Sequence, residues 1–295
     1  MRAKGIFYTV LSAVLFGVTP VLASLSYGLG SNALTLTFYR NFMVIPILWV
    51  LLIARKIDFR ITKKQLIAIL VIGILGRGVT TLMLYSAYEY IGIGTSTTLH
   101  FLYPVFVALI CRVFYHDKLG PAKIAALICA ICGVTLFMEP RSGSLALVGV
   151  ILAVGSGLTY AVYMVGMDKL GLKEIDPLKL SFYMAAAVSI GMLFYNVPRQ
   201  QILFLLPPKA AWYTFLVAIC TSFFAVALLQ LGIKYLSATS AALFSLFEPI
   251  CGSLAGTIFL NEPMTIAKAF GSVVILSATV ILTVADRKAV QKPCN

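Results

Sequence analysis

Charge is scarce in this chain. Asp, Glu, Lys and Arg together make up 11% of its 295 residues, with only ten acidic side chains and two histidines, His100 and His116. An ordinary soluble domain carries about a quarter charged residues, so a water-exposed surface of the usual kind is excluded. The isolated carboxylates form no Asp-rich cluster of the sort that holds magnesium for prenyl transfer. No Gly-rich Walker loop is present to cradle ATP phosphates. Gly155-Ser156-Gly157 lacks the flanking pattern of an intramembrane serine nucleophile, and neither a pore-loop sequence nor a ring of like charges suggests a channel. The expectation is a protein that is not an enzyme, with no cofactor and no metal. Of six cysteines, Cys111, Cys129, Cys132, Cys220 and Cys251 lie inside apolar runs and Cys294 in the tail. Cys129-x-x-Cys132 has no second pair or neighbouring histidine, so it reads as packing.

What the chain has instead is apolar length. It is 61% hydrophobic, with a mean hydropathy of +1.00. About 20 apolar residues cross a bilayer, and by that measure the sequence divides into ten spans, near 5–27, 32–53, 65–88, 93–114, 122–138, 145–167, 177–196, 210–232, 236–260 and 265–285. The first run is about 20 residues long without a small-residue cleavage site, and reads as a span, not as a removable signal. Short connections rich in turn residues separate the runs: Gly28-Leu29-Gly30-Ser31-Asn32, Gly92-Ile93-Gly94, Lys118-Leu119-Gly120-Pro121, Glu139-Pro140-Arg141-Ser142-Gly143 and Asn261-Glu262-Pro263.

The formal net charge of +13 comes from Lys and Arg placed in these breaks, with no continuous basic face for nucleic acid. With the N-terminus inside, seventeen fall in cytoplasmic positions, against Arg141, Arg199, Lys209 and Lys268 outside. The excess marks the cytoplasmic side, so both termini are expected there, in a plasma (inner) membrane. Trp49, Trp212 and Tyr213 fall near span ends, where amphipathic rings favour the interface.

The chain also repeats itself. Leu36-Thr37-Phe38-Tyr39 returns 144 residues later as Leu180-Ser181-Phe182-Tyr183. Tyr90-Ile91, Pro104, Phe114, Asp117 and Ala122-Lys123 return 145 residues later as Tyr235-Leu236, Pro249, Phe259, Glu262 and Ala267-Lys268. Two five-span halves, 1-143 and 144-295, follow. An odd number of spans makes them cross in opposite directions, an inverted repeat about an axis in the membrane plane.

The repeat points to a site. Glu248, beside Pro249, stands midway along the apolar run from Tyr235 to Leu260, where an ionisable group is costly and marks a cavity or a partner. Offset by 145, Ser245 and Glu248 match His100 and Tyr103, which share one helical face just before Pro104. Proline-broken helices at the midplane are where inverted-repeat transporters hold substrate, so Pro104 and Pro249 are the expected helix breaks. Arg77, between Gly76 and Gly78, adds a permanent cation at mid-depth, with Ser222 as its counterpart. Tyr160 and Tyr163 could supply stacking faces and hydroxyls. Two readings of Glu248 stand open: a lock with Arg77, or a group for substrate or protons. His100 is either a hydrogen-bonded packing residue or a proton carrier. Arg40, in span two and nearer the outer surface, either completes the site or is a snorkelling or helix-bracing arginine, and Asp117 and Glu262 cap helices or fix loops. Gly252-x-x-x-Gly256 reads as a close helix approach.

These features resemble the EamA-type ten-helix members of the drug/metabolite transporter superfamily, over essentially the whole chain. Gly5 to Val21, with Phe16-Gly17 and Pro20, is similar to the family's small-residue first helix, and Gly149 to Tyr163 to its second copy. Tyr39-Arg40 is similar to the family's aromatic or small residue followed by arginine, and Pro104 with Asp117 and Pro249 with Glu262 to its proline and following acid. His116-Asp117-Lys118 departs from the more usual Gly-Glu pair. The resemblance implies a secondary transporter, as an exporter. A carboxylate with a guanidinium suits a zwitterion, so the expected cargo is a small polar organic metabolite such as an amino acid. Arg77 would hold its carboxylate, Glu248 its amine, Tyr103 and Tyr160 its apolar part, with Glu248 or His100 as proton-coupling groups. The alternatives are an exporter of cationic or apolar drug-like compounds and, after that, an ion channel. The expected partners are substrate and lipid bilayer, with no nucleic acid, in a monomer or homodimer.

Overall fold

The computed structural model describes residues 2–117, 119–136, 144–260 and 264–291, with side chains for all of these except 94, 144–146, 260, 268, 279 and 282–291. The expected turns at 139–143 and 261–263, Lys118, Glu262, the boundary after residue 143 and the tail with Cys294 lie outside the described residues, as do the side chains of Lys268, Arg287 and Lys288. The described chain is all α-helical, and its helices follow the apolar runs: α1 (Arg2–Tyr27), α2 (Ala33–Ala54), α3 (Lys63–Ile93), α4 (Thr95–Phe114), α5 (Pro121–Thr135), α6 (Ser144–Lys169), α7 (Pro177–Asn196), α8 (Pro208–Tyr235), α9 (Ala238–Phe259) and α10 (Ile266–Gln291). Eight of these are long and apolar enough to cross a membrane. The apolar stretches Pro121–Thr135 and Ala269–Ala278 are shorter.

Local chemistry sets the boundaries. Asn32 accepts from the Thr35 amide to start α2, Thr62 and Gln65 form a reciprocal capping box at α3, and Asp176 caps α7 ahead of Pro177. Gly92, at φ 75° and ψ 168°, separates α3 from α4 in a conformation open to glycine. Large apolar side chains such as Phe114, Phe194 and Ile258 face outward, as helices in lipid require.

The two halves exchange contacts. Helix α1 packs on α8 and α9, and α6 packs on α3 and α4, while α2 meets α7 and α5 meets α10. Two close approaches obey the offset read from the sequence. A Cβ on Gly5 would come within 3 Å of the Tyr235 and Leu236 side chains, and one on Gly149 equally close to Tyr90 and Ile91. That contact is what the recurring Tyr-Leu and Tyr-Ile pairs serve. Two π-helical segments, Ile72–Gly78 in α3 and Ala218–Ala225 in α8, also recur at this spacing. Helices α4 and α9 each break at mid-length, at Phe101-Leu102 and at Ser245-Leu246, and restart with Pro104 and Pro249 in the first turn of the new segment. A proline there lacks only an N–H that would have been unpaired anyway.

Candidate functional site

The breaks and the π-helical segment of α3 surround one cavity. Its wall includes Phe16, Thr19 and Pro20 of α1, Arg40 of α2, Arg77, Thr80, Tyr85 and Tyr88 of α3, Thr97 and His100 of α4, Tyr160 and Tyr163 of α6, Val226 of α8 and Glu248 of α9. Both halves therefore contribute. The cavity volume is about 70 Å³, room for about five to seven waters at roughly 10–15 Å³ each. Apart from His100, its ionisable groups of interest are two guanidiniums and one carboxylate: Arg40, Arg77 and Glu248.

Each is placed by a local device. The extra residue of the π-helical turn re-aims Arg77, and Gly76 beside it lets the Tyr163 backbone come close enough that a Cβ would sit 3.0 Å from it. Arg77 is 6% exposed, and its Nη1 and Nη2 are buried without an acceptor among the described residues. Arg40 behaves otherwise. Its Nη1 donates to the Tyr85 hydroxyl at 2.7 Å and its Nε to Ser222 Oγ at 3.1 Å. Glu248 sits in the first turn of the restarted α9 segment, where the helix N-terminus favours a carboxylate. Its carboxylate has no ion pair or side-chain hydrogen bond among the described residues, and it lies within the electrostatic reach of Arg40.

His100 is fully enclosed by protein. Ser156 Oγ donates to the Ala153 carbonyl at 2.6 Å, which uses its single hydrogen, so it accepts from His100 Nδ1 at 2.9 Å. The imidazole is thereby assigned as the tautomer with Nε2 unprotonated. Tyr103 packs edge-on against Tyr160 at 4.8 Å between ring centroids, and Tyr160 stacks on Tyr163 at 5.7 Å.

Of the residues singled out from the sequence, Glu248, Arg77, His100, Tyr160 and Tyr163 meet in the cavity wall. Tyr103 and Ser245 do not line it. The Tyr103 hydroxyl points to the Ala242 carbonyl at 3.5 Å and Ser245 Oγ donates to the Ala241 carbonyl at 3.0 Å, so both stand behind the wall. The lock between Arg77 and Glu248 is not formed. Arg40 does not snorkel: it is buried at 6% exposure and faces inward. Seven residues into α2, about 10 Å deep at 1.5 Å per residue, a long stem can turn either way, and the sequence does not choose. Tyr85 carried a usable signal, because an offset of 145 matches it to Gln230, also buried and polar. Gln230 accepts from Ser181 Oγ at 3.3 Å, so α7 is pinned to α8 as Arg40 and Tyr85 pin α2 to α3.

The helical architecture and the cavity shared by its halves define a polytopic membrane transporter, and the comparisons agree. The model of the EamA-like transporter family matches twice, over residues 3–138 and 147–284. The chain belongs to the EamA-like transporter family. An uncharacterized transporter of Archaeoglobus fulgidus is 26% identical over 273 residues, covering 92% of this chain and 93% of that one. Mouse solute carrier family 35 member G1 is 28% identical over 184 residues, 58% of this chain and 49% of its own length. A solved crystal structure superposes with a TM-score of 0.81 at 16% identity, covering 98% of this chain and 99% of that one, a likeness of fold.

Proposed function

We propose that this protein is a secondary active transporter, working as an exporter, that moves a small polar organic metabolite by alternating access. The halves 1-143 and 144-295, inverted relative to each other, rock about the shared cavity. Both termini lie in the cytoplasm and the membrane is the plasma (inner) membrane, a reading supported by the excess of Lys and Arg at one end of the bundle. An amino acid or a related compound bearing both charges suits a wall that holds guanidinium and carboxylate groups. Tyr160 and Tyr163 supply an apolar face, and Tyr103 and Ser245 support that face from behind. Glu248 and His100 are the groups able to exchange a proton as access alternates.

One observation carries this reading: Glu248 faces a cavity lined by both halves without an ion pair or side-chain hydrogen bond among the described residues. A carboxylate kept at that depth solely for the fold should have been paired. The test is Glu248→Gln in proteoliposomes. Loss of counterflow, or transport that no longer changes with pH, supports the role; unchanged transport with unchanged pH dependence removes it.

A further inference from the structure

Charge balance in the cavity selects among small polar organic metabolites, favouring an anion over the neutral zwitterion named above, and the argument rests on the transporter reading. Arg40 and Arg77 are permanent cations under physiological conditions. Glu248 offsets at most one of them, so the wall carries a net charge of at least +1 whether or not Glu248 holds a proton. The two guanidiniums interact repulsively with each other. A neutral zwitterion adds no net charge and leaves the excess where it was. An unmatched charge in a low-dielectric site is costly.

The two arginines are unequal. Arg40 already donates to Tyr85 and Ser222 and faces the field of Glu248. Arg77 has two terminal nitrogens, buried and without an acceptor, flanked by Tyr160 and Tyr163. A planar fork of that kind matches the two oxygens of a carboxylate. We infer that the transported species is a small organic anion of net charge −1, whose carboxylate docks on Arg77 Nη1 and Nη2 once the rings of Tyr160 and Tyr163 turn aside. His100 Nε2 and the Glu248 oxygens are acceptors, so a hydroxyl or ammonium on the same molecule finds a partner. Short hydroxy acids and amino acids with a second acidic group both meet this description, and neutral amino acids do not.

The experiment uses the purified full chain and three size-matched probe sets: monoanions (lactate, glycolate, aspartate), neutral zwitterions (alanine, serine) and cations (alaninamide, ethanolamine). Melting temperature is measured in detergent and counterflow in proteoliposomes, for wild type, Arg77→Gln and Arg77→Lys. The expected result is that the monoanions raise the melting temperature of wild type and exchange in counterflow. In Arg77→Gln the shift is lost while the unliganded melting temperature is kept or raised, because Nη1 and Nη2 have no partner to lose. Arg77→Lys retains a reduced shift. Counterflow of zwitterions or cations without monoanions overturns the charge inference and leaves the transporter reading standing. Monoanion binding that persists undiminished in Arg77→Gln overturns the assignment to Arg77. Monoanions that stabilise wild type without any counterflow keep the anion site and count against the transporter reading.

Discussion

Arg40 reaches across the interface between the halves to Ser222, its Nε lying 3.1 Å from Ser222 Oγ. Ser222 is the position that the repeat equates with Arg77, 145 residues earlier. Each half thus has a π-helical segment at this position, the first bringing the Arg77 guanidinium to the cavity wall and the second, outside the wall, a hydroxyl that receives a guanidinium from the other half. Arg40 itself has Met184 at the matching position, offset by 144, so no second arginine approaches Arg77 from α7. A symmetric scaffold has been given an asymmetric lining, and the asymmetry lies in the charged groups.

The bond from Arg40 to Tyr85 is buried and charge-assisted. Hydrogen bonds to charged groups contribute about 1.5–3 kcal/mol. A double-mutant cycle of Arg40→Gln and Tyr85→Phe, followed by chemical denaturation in detergent, should give a coupling energy in that range. Arg40→Lys should fold and lose transport several-fold, because one ammonium on a flexible stem cannot hold Tyr85 and Ser222 as the guanidinium fork does.

Most of the scaffold could be read before the structure, and the reason is physical. Lipid demands apolar length, so helix positions follow from counting, and a packing contact that recurs, such as Gly5 on Tyr235 and Gly149 on Tyr90, leaves the same small-against-large pairing in both halves. The candidate site was legible where depth makes a polar group costly. Glu248 and Arg77 stand near the middle of apolar runs, where a charged side chain needs a cavity or a partner. For Arg40, nearer a span end, the sequence leaves a site role, helix bracing and snorkelling all open, because its stem permits two destinations and only neighbours brought together by folding decide between them. The wall was also drawn too wide by one turn: the breaks at Phe101-Leu102 and Ser245-Leu246 rotate Tyr103 and Ser245 behind it, and helical periodicity does not carry through a break.

Gly17 sets how closely α1 approaches the restarted segment of α9. A Cβ at this position would lie 2.7 Å from Cys251 Cβ and 2.8 Å from the Glu248 carbonyl oxygen, neither of which can give way without moving the backbone. Gly17→Val should therefore destabilise the protein by about 1–3 kcal/mol, the usual range for overpacking, and shift Glu248 relative to Arg40. The check is a fall in melting temperature together with transport lost beyond the fraction unfolded. Gly28→Ala, where the nearest atoms are at 3.6 Å, is the control and should change little.

At the end of the bundle remote from Gly92, the tip of α6 is tied to two other helices. Asp168, 8% exposed, takes Lys173 Nζ at 2.8 Å on one oxygen and the Ala238 amide at 3.2 Å on the other, which caps α9. Lys169 pairs with Asp117 beyond α4 at 2.8 Å. The Asp168 contact is the more buried of the two and includes an amide without another acceptor in view, so it should count for more than the partly exposed pair. Asp168→Asn is expected to speed hydrogen exchange at the start of α9 and lower stability by about 1–3 kcal/mol. Lys169→Gln should cost about 1 kcal/mol or less. Equal effects of the two substitutions would show that the Asp168 bridge is not what closes this end.

His100 supplies the last prediction. Its Nδ1 is committed to Ser156, and Ser156 in turn to the Ala153 carbonyl, so the chain of donors runs from the imidazole into the backbone of α6. This order leaves Nε2 as an acceptor toward the cavity. Ser156→Ala removes the side-chain acceptor that fixes Nδ1–H, and the ring becomes free to exchange tautomers. Nitrogen NMR of histidine-labelled protein should show wild-type His100 as the Nδ1–H form and the variant as a mixture of forms. Ser156→Thr, which keeps the hydroxyl, should restore the wild-type signal if the added methyl is accommodated in α6. A wild-type ring found as Nε2–H would reverse the order of donors. His100 would then offer a donor to the cavity, which a substrate hydroxyl could accept but a substrate ammonium could not, leaving the ammonium to Glu248.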